Sequence, residues 1–442
     1  MSSGPAYLHG ASVKLGGYLY RHMDDDDDDP HNQNVTYQAS FPIYAPGNYR
    51  LLVMLESMRN ASDTFDDELI SDAVCGKLGS YICMGERVSR SRATVHVDFD
   101  APSYQTDAAV YKATLPRCEY KAANSYHDNF EWTSRALLEA QGFDPKTTGI
   151  YPREIMPNQE FVWHSRTCQQ PWVSPQSVLD LALGFKESAA IPDSEPGLVI
   201  GVLGTSRMKD VYTSMFKFLG ANDDDTGPVV MQFSFIFVYD NRVKSMTNAL
   251  KKAFFTDMDQ VCVQRNKDRP DAPKVALLIS HAIWEASYHN SYKDRSEHPS
   301  KFRFEENARN TLDFVRDWCH GQDYRVVLMT NPAVQLTDSR VPDPYTAVEG
   351  PRLVLTAKSH NHAFASRGAR IDVANRAWKK IAAEYDVPIV DGEAISFPRW
   401  DMCADNMHYR NWKEKHTKKI VNEVTMAMVH LLLAALLRAF DH

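Results

Sequence analysis

The rhythm of hydrophobic and polar positions changes twice along the chain. Up to about residue 115, short alternating runs dominate: "NVTYQASFPI", "GNYRLLVMLES" and "ATVHVDFDAP", separated by Pro, Gly and Asn. A period of two predicts strands with one buried face, and "YAPGNYR" (44–50) reads as a turn between two of them. Residues 1–115 are therefore expected to form a small antiparallel β-sandwich of immunoglobulin type, interrupted at 56–92 by a polar, partly helical insertion. From 116 to 196 the periodicity fades into an irregular connecting segment rich in Pro and aromatic residues.

From 197 to 442 the pattern changes again. Continuous apolar runs at 198–203, 229–239, 275–280, 325–330 and 387–390 alternate with helix-spaced stretches at about 206–219, 241–257, 303–319, 367–385 and 412–438. Runs apolar on both faces, each followed by a helix, mean a parallel sheet covered on both sides. The fold class is α/β: a flavodoxin-like three-layer α/β/α domain, with ligands expected at the carboxyl ends of its strands. "VTMAMVHLLLAALL" (424–437) is the most apolar stretch, but it is short of the ~20 residues that span a bilayer and contains His430. It is expected to be a buried core helix, not a membrane-spanning segment.

Composition narrows the function classes. A formal net charge of -8, with Lys and Arg scattered, argues against nucleic acid as a partner. The main charge run, Asp24 to Asp29, is a self-repelling acidic tract and predicts a solvated loop; a homopolymer lacks the spacing of a shaped calcium site. The seven cysteines (75, 83, 118, 168, 262, 319, 403) contain no CxxC pair, and the odd number leaves at least one thiol outside any intrachain bridge. Cys403 is a candidate to tie down its loop, with Cys262 or Cys319 as partner. "NVT" at Asn34 and "NAS" at Asn60 fit the N-glycosylation pattern. The start, "MSSGPAYLHGASVKLGGY", has no apolar core of signal-peptide length, which fits a cytosolic chain or a mature lumenal one. His360 and His362 in "SHNHAF" lack a third ligand in view, so no metal and no cofactor is expected. "GVLGTSR" is neither a dinucleotide fingerprint nor a P-loop.

The chemistry-bearing residues collect where the predicted strands end. Ser206 follows the first strand and opens a helix, near the positive end of its dipole and a set of free N–H groups. It is expected both to cap that helix and to face a reaction centre. The third strand ends at "LLISHAIWE", bringing the Ala282 backbone N–H to the same region. The fourth ends at "VVLMTNPAVQ", where Pro332 biases Asn331 toward extended backbone and its amide across the sheet edge. After the fifth comes "DMCADNMHYRN", in which Asp405 and His408 can supply a base and the carboxylate that orients it. Taken singly, Ser before a helix is an ordinary cap and Asn after a strand an ordinary turn residue. Their order at successive strand ends is what points to catalysis.

This order resembles the SGNH (GDSL-like) hydrolases, and in particular the PC-esterase branch with the trichome-birefringence-like and neurexophilin-and-PC-esterase-domain proteins. "LPRC" (115–118) followed by "EFVWHSRTC" (160–168) is similar to that branch's Cys-bearing segment, and "VPIVDGEAISFPRWDMCADNMH" to its final block. "NVTYQASFPIYAPGNYRLLVMLE" is similar to the β-sandwich of the neurexophilin-type members. The resemblance implies Ser206 as nucleophile, His408 as general base and Asp405 as its partner. The implied oxyanion hole is the N–H groups of Ser206 and Ala282 with the Asn331 side chain. It also implies a Cys118–Cys168 disulfide, against the alternative of two buried thiols, and a glycan or glycoprotein as the partner acted on. That bridge and the two sequons point to a secreted or lumenal glycoprotein, against a start that shows no export signal. The chain departs from the family pattern at Thr205, where the family has Asp, and at Ala282, where it has Gly; Arg207 or Lys209 loosely matches a basic residue after the Ser. A backbone donor at 282 tolerates Ala at negative φ and is strained at positive φ. Two function classes stay open: a serine-dependent O-acyl, expected acetyl, esterase or acyltransferase, and a catalytically silent glycoprotein that uses the scaffold for adhesion, glycan binding or assembly with partner chains.

Overall fold

The computed structural model describes residues 47–50, 94–97 and most of 115–441, leaving out 119, 121–129, 141, 143–149, 157–158, 166–167, 171, 221–226, 237–242, 284–303, 334–367, 398, 400–401, 404–407 and 410–421. Of the expected sandwich, the described residues hold one antiparallel pair, β1 (Gly47–Arg50) and β2 (Thr94–Val97), with Gly47 opposite Val97. The rest of 1–115, with Asn34, Asn60, Cys75 and Cys83, lies outside them.

The connecting segment is more ordered than its composition suggests. An antiparallel hairpin, β3 (Phe130–Ser134) and β4 (Phe161–Ser165), pairs Trp132 with Trp163. Helix α1 (Arg135–Ala140) follows β3, and α2 (Pro175–Ala189) begins where the Ser174 side chain accepts from the Ser177 N–H, with Pro175 in the first turn. Its aromatic residues are core: Phe130, Trp132, Tyr151 and Trp163 belong to the same hydrophobic cluster as the sheet. The expectation of an irregular segment missed these elements because short, aromatic-rich strands carry little periodicity.

The α/β expectation holds closely. Five parallel strands, β5 (Leu198–Gly204), β6 (Val229–Phe235), β7 (Lys274–Ser280), β8 (Tyr324–Met329) and β9 (Ile389–Val390), lie in the order β6-β5-β7-β8-β9. Counted within the sheet this is the 2-1-3-4-5 order of flavodoxin-like folds, in which the direction of winding reverses between the first and third strands. The helices are α3 (Ser206–Leu219), α4 (Val243–Lys252), α5 (Phe304–Trp318), α6 (Gly368–Glu384), α7 (Gly392–Ser396) and α8 (Glu423–Phe440). A π-helical turn at Ala253–Asp257 continues α4, where a single helix to 257 was expected.

Strand pleating sorts the core into two halves. From β5, Leu198, Ile200 and Val202 join α3, α8 and the connecting segment; Val199 and Leu203 face the other way, into a cluster shared with α4, α5 and α6. Helix α8 is long and apolar enough to cross a membrane, but most of it is buried within the fold, as expected of a core helix.

Among the described residues, two disulfides brace the fold. Cys118 bonds Cys168, and Cys262 bonds Cys319, so neither of the latter is available to Cys403, contrary to the pairing expected for the loop after β9. Cys403 is itself buried. The Cys262–Cys319 bridge joins the stretch before β7 to the end of α5 and closes a span of 57 residues, for which chain entropy gives a stabilisation of about 4 kcal/mol. Replacing both cysteines with Ser is expected to lower unfolding free energy by about 2–4 kcal/mol in denaturant titration, with native circular dichroism retained. An unchanged midpoint would show the bridge to be energetically idle.

Candidate active site

Two backbones approach closely where β5 ends. A Cβ on Gly204 would lie 2.3 Å from the Ser280 carbonyl oxygen and 2.5 Å from Met208 Cγ, so only glycine lets the chain turn here from strand to helix against β7. Gly204 pairs with Ser280, which places Ser206 and Ala282 equally far beyond the sheet, at the switch point of winding.

Helix α3 starts differently from expectation. Thr205, in extended backbone, holds the N-cap position, and Ser206 is the first helical residue. The first intrahelical bond runs from the Lys209 N–H to the Thr205 carbonyl at 3.0 Å, so earlier N–H groups point out of the helix end. The Ser206 hydroxyl is not spent on capping. It lies 2.8 Å from His408 Nε2, across 202 residues of sequence. The Thr205 hydroxyl makes no cap bond and is buried without a hydrogen-bond partner, a cost of about 1–3 kcal/mol.

The strand ends are laced together by hydrogen bonds that close a ring. The buried Arg207 guanidinium, one residue after Ser206, donates to the Pro332 carbonyl beyond β8. The next residue, Ala333, is held on both sides: its N–H donates to Ser396 Oγ at 2.7 Å, and its carbonyl accepts from the Tyr409 hydroxyl at 3.2 Å. Tyr409 follows His408, whose ring returns to Ser206. The Tyr409 hydroxyl also lies 3.1 Å from the Ser396 carbonyl, and Tyr409's own carbonyl accepts from Thr425 Oγ1 of α8. Three segments distant in sequence thus fix one hydroxyl–imidazole pair.

Asn331 is placed differently from an oxyanion donor. Its Nδ2 donates to the His281 carbonyl at 2.7 Å and to Asn375 Oδ1 at 3.2 Å, committing its hydrogens inside the fold. Asn375 of α6 answers with donors to the Asn331 carbonyl (3.0 Å) and Glu393 (2.8 Å). In this arrangement Asn331 braces the end of β7 against β8 and α6. Ala282 is buried with φ +106°, a region that favours glycine. A non-glycine residue there costs about 1–3 kcal/mol, sustained here by tight surroundings: Ile283, Phe304, Ile371 and Ala374 share its cluster.

Asp405, Asn34 and Asn60, like His360 and His362, lie outside the described residues. Among the described residues no group of three or more His, Cys, Asp or Glu is arranged to hold a metal. Several residues that shape the site were not singled out from sequence. Asp391 caps α7, accepts from Thr330 Oγ1 (2.8 Å) and pairs with Lys379 (2.5 Å) while itself buried. Asn375, Arg399 and Tyr409 act through partners far away in the chain, so no local pattern marks them; for Tyr409, adjacency to His408 was the one available signal.

No protein-family model and no curated protein sequence matches the chain. Among solved structures, it is similar to a catalytic mutant of an acetylxylan esterase from Geobacillus stearothermophilus (14% identity, 56% of this chain and 96% of that one, TM-score 0.29). It is also similar to a carbohydrate acetylesterase from Sinorhizobium meliloti (10%, 55% and 99%, TM-score 0.29) and to an alpha/beta hydrolase enzyme from the metagenome of Lake Arreo, Spain (12%, 56% and 96%, TM-score 0.30).

Relieving the strain at Ala282 tests the site's backbone. Ala282→Gly is expected to stabilise the fold by about 1 kcal/mol, less than the full strain because glycine also enlarges the unfolded ensemble. A lower denaturation midpoint for Ala282→Gly would contradict the strained assignment.

Proposed function

We propose that this chain is a serine-dependent O-acyl esterase or acyltransferase of the SGNH type, in the PC-esterase branch, acting on an O-acetylated glycan or glycoprotein. The observation that carries it is the 2.8 Å approach of His408 Nε2 to the Ser206 hydroxyl at a helix N-terminus beyond the switch point of a parallel sheet. A serine hydroxyl alone is a weak nucleophile, and an adjacent imidazole removes its proton as it attacks.

In the proposed cycle, Ser206 Oγ bonds to the acyl carbon while its proton passes to His408 Nε2. The oxyanion that forms is met by the outward N–H groups at the start of α3 and by the Ala282 N–H. Such donors, aimed where charge develops, are worth about 3 kcal/mol each. Collapse breaks the bond to the sugar oxygen, which takes the proton from His408 and leaves an acyl-serine. Water, or a second sugar hydroxyl, then attacks with His408 again as base. Asp405, three residues before His408, is assigned to hold the imidazole's other nitrogen. Asn331, whose amide is engaged with His281 and Asn375, is assigned to shape the hole from behind.

The two disulfides support an oxidising compartment, the secretory lumen or the extracellular space, where bridges persist. Glycosylation at Asn34 and Asn60 belongs to the same proposal.

A second reading has its own observations. The positive φ at Ala282 and the unsatisfied Thr205 hydroxyl fall where the family pattern carries Gly and Asp, and they favour a silent scaffold used for adhesion, glycan binding or assembly. Activity separates the two. The wild-type chain is expected to release acetate from p-nitrophenyl acetate and from an acetylated oligosaccharide. Ser206→Ala and His408→Ala should each lower kcat about a thousandfold or more with unchanged circular dichroism. Equal rates for wild type and Ser206→Ala would favour the scaffold.

A further inference from the structure

Between α7 and α8 runs the connection that carries His408, and near its start stands a buried arginine. Arg399 and Glu423 form an ion pair at 2.7 Å, with side chains only 1% and 2% exposed. The guanidinium is flanked by two aromatic rings, its carbon 4.9 Å from the Trp132 centroid and 4.8 Å from that of Phe161. The second carboxylate oxygen of Glu423 accepts from the Glu160 N–H and, at 3.1 Å, from the Phe161 N–H at the start of β4. Burial pushes the Glu423 carboxyl above its usual range, against the pull of the Arg399 charge and of those N–H groups.

Such a pair is hard to explain as a device for stability. Desolvating two charges costs so much that well-packed apolar replacements of buried ion pairs are often as stable or more so. What an ion pair supplies and an apolar pair does not is direction: fixed donors and acceptors that accept one geometry. Here the directions join three elements. Trp132 and Phe161 belong to the β3–β4 hairpin, which the Cys118–Cys168 bridge ties to the strand-like stretch around Arg117. The Trp132 indole also donates to the Ile395 carbonyl of α7 at 2.8 Å. Glu423 opens α8, and Arg399 leads the His408 connection, whose Met402 N–H bonds the Arg399 carbonyl at 3.0 Å. The Asn422 side chain then donates to the Met402 carbonyl, also at 3.0 Å.

We propose that Arg399 is a positioning residue: paired with Glu423 and held between Trp132 and Phe161, it transmits the placement of the disulfide-bridged hairpin to His408. The connecting segment is then a working part of the site and not a spacer. This rests on the esterase reading only in its kinetic consequence; the placement of the His408 connection is a physical claim of its own.

The test uses the full chain and two variants. Arg399→Met leaves Glu423 as an unpaired buried charge and is expected to fold poorly. The double variant Arg399→Met/Glu423→Gln removes both charges, keeps an oxygen to accept from the Glu160 and Phe161 N–H groups, and is expected to fold with near wild-type thermal stability. In that variant kcat for p-nitrophenyl acetate, per molecule titratable with a fluorophosphonate, should fall at least thirtyfold while KM changes less than threefold. A merely structural pair would lower the amount of folded protein and leave kcat per active molecule intact. Hydrogen exchange adds a readout free of activity: the amides of Met402, Cys403, His408 and Tyr409 should exchange at least tenfold faster in the double variant, with the strands β5 and β7 unchanged. A folded double variant with kcat within threefold of wild type, or with unaltered exchange at Met402, Cys403, His408 and Tyr409, overturns the proposal. If the wild-type chain itself turns over no ester, the esterase reading fails and the exchange result alone decides the positioning claim.

Discussion

The structure turns on one hydrogen bond, between the Ser206 hydroxyl and His408 Nε2, made by residues 202 positions apart. Neither side chain can reach the other unless β5 ends in a tight turn against β7 and the connection after α7 returns across the sheet edge. Gly204 secures the first condition, by leaving no Cβ to strike Ser280. The ring of contacts from Arg207 through Pro332, Ala333 and Tyr409 secures the second. The sheet supplies rigidity to both: its strands pair in continuous parallel register, so the switch point between β5 and β7 is a fixed place.

Around that bond the site is a compromise. The helix N-terminus offers outward N–H groups, as an anionic intermediate requires. Yet Ala282 occupies backbone that glycine would adopt freely, and Thr205 buries a hydroxyl without a partner. Together these cost a few kcal/mol by general magnitudes, a sizeable share of the ~5–15 kcal/mol that separates folded from unfolded proteins. Backbone strain persists where surrounding packing over-determines the conformation, and the buried cluster around Ala282 does so here.

Much of this was legible in the sequence, for physical reasons that differ by element. The five strands could be read because burial on both faces produces continuous apolar runs, and Ser206 and His408 because they follow strand ends in a telling order. The cap of α3 was misplaced by one residue, since Thr and Ser side by side are equivalent cap candidates until backbone angles decide. The role expected of the Asn331 amide depended on where His281 and Asn375 place their acceptors, and those lie 50 and 44 residues away. The partner of Cys262 was likewise hidden, because a disulfide needs only proximity in space. The hairpin at 130–165 and the Arg399–Glu423 pair leave no periodic trace; they emerge only when the aromatic residues of the connecting segment are found inside the core. The start of α2 is the exception, since Ser174 followed by Pro175 is a local signal that sequence reading passed over.

A covalent probe addresses the central bond most directly. Incubation with a small fluorophosphonate, followed by proteolysis and mass spectrometry, should place one phosphonyl group on Ser206, because the His408 imidazole lies 2.8 Å from that hydroxyl and can take its proton. The same reagent should leave His408→Ala unmodified over the same time. Labelling of Ser206 at the same rate with and without His408, or no labelling of Ser206 in the wild-type chain, would contradict the account.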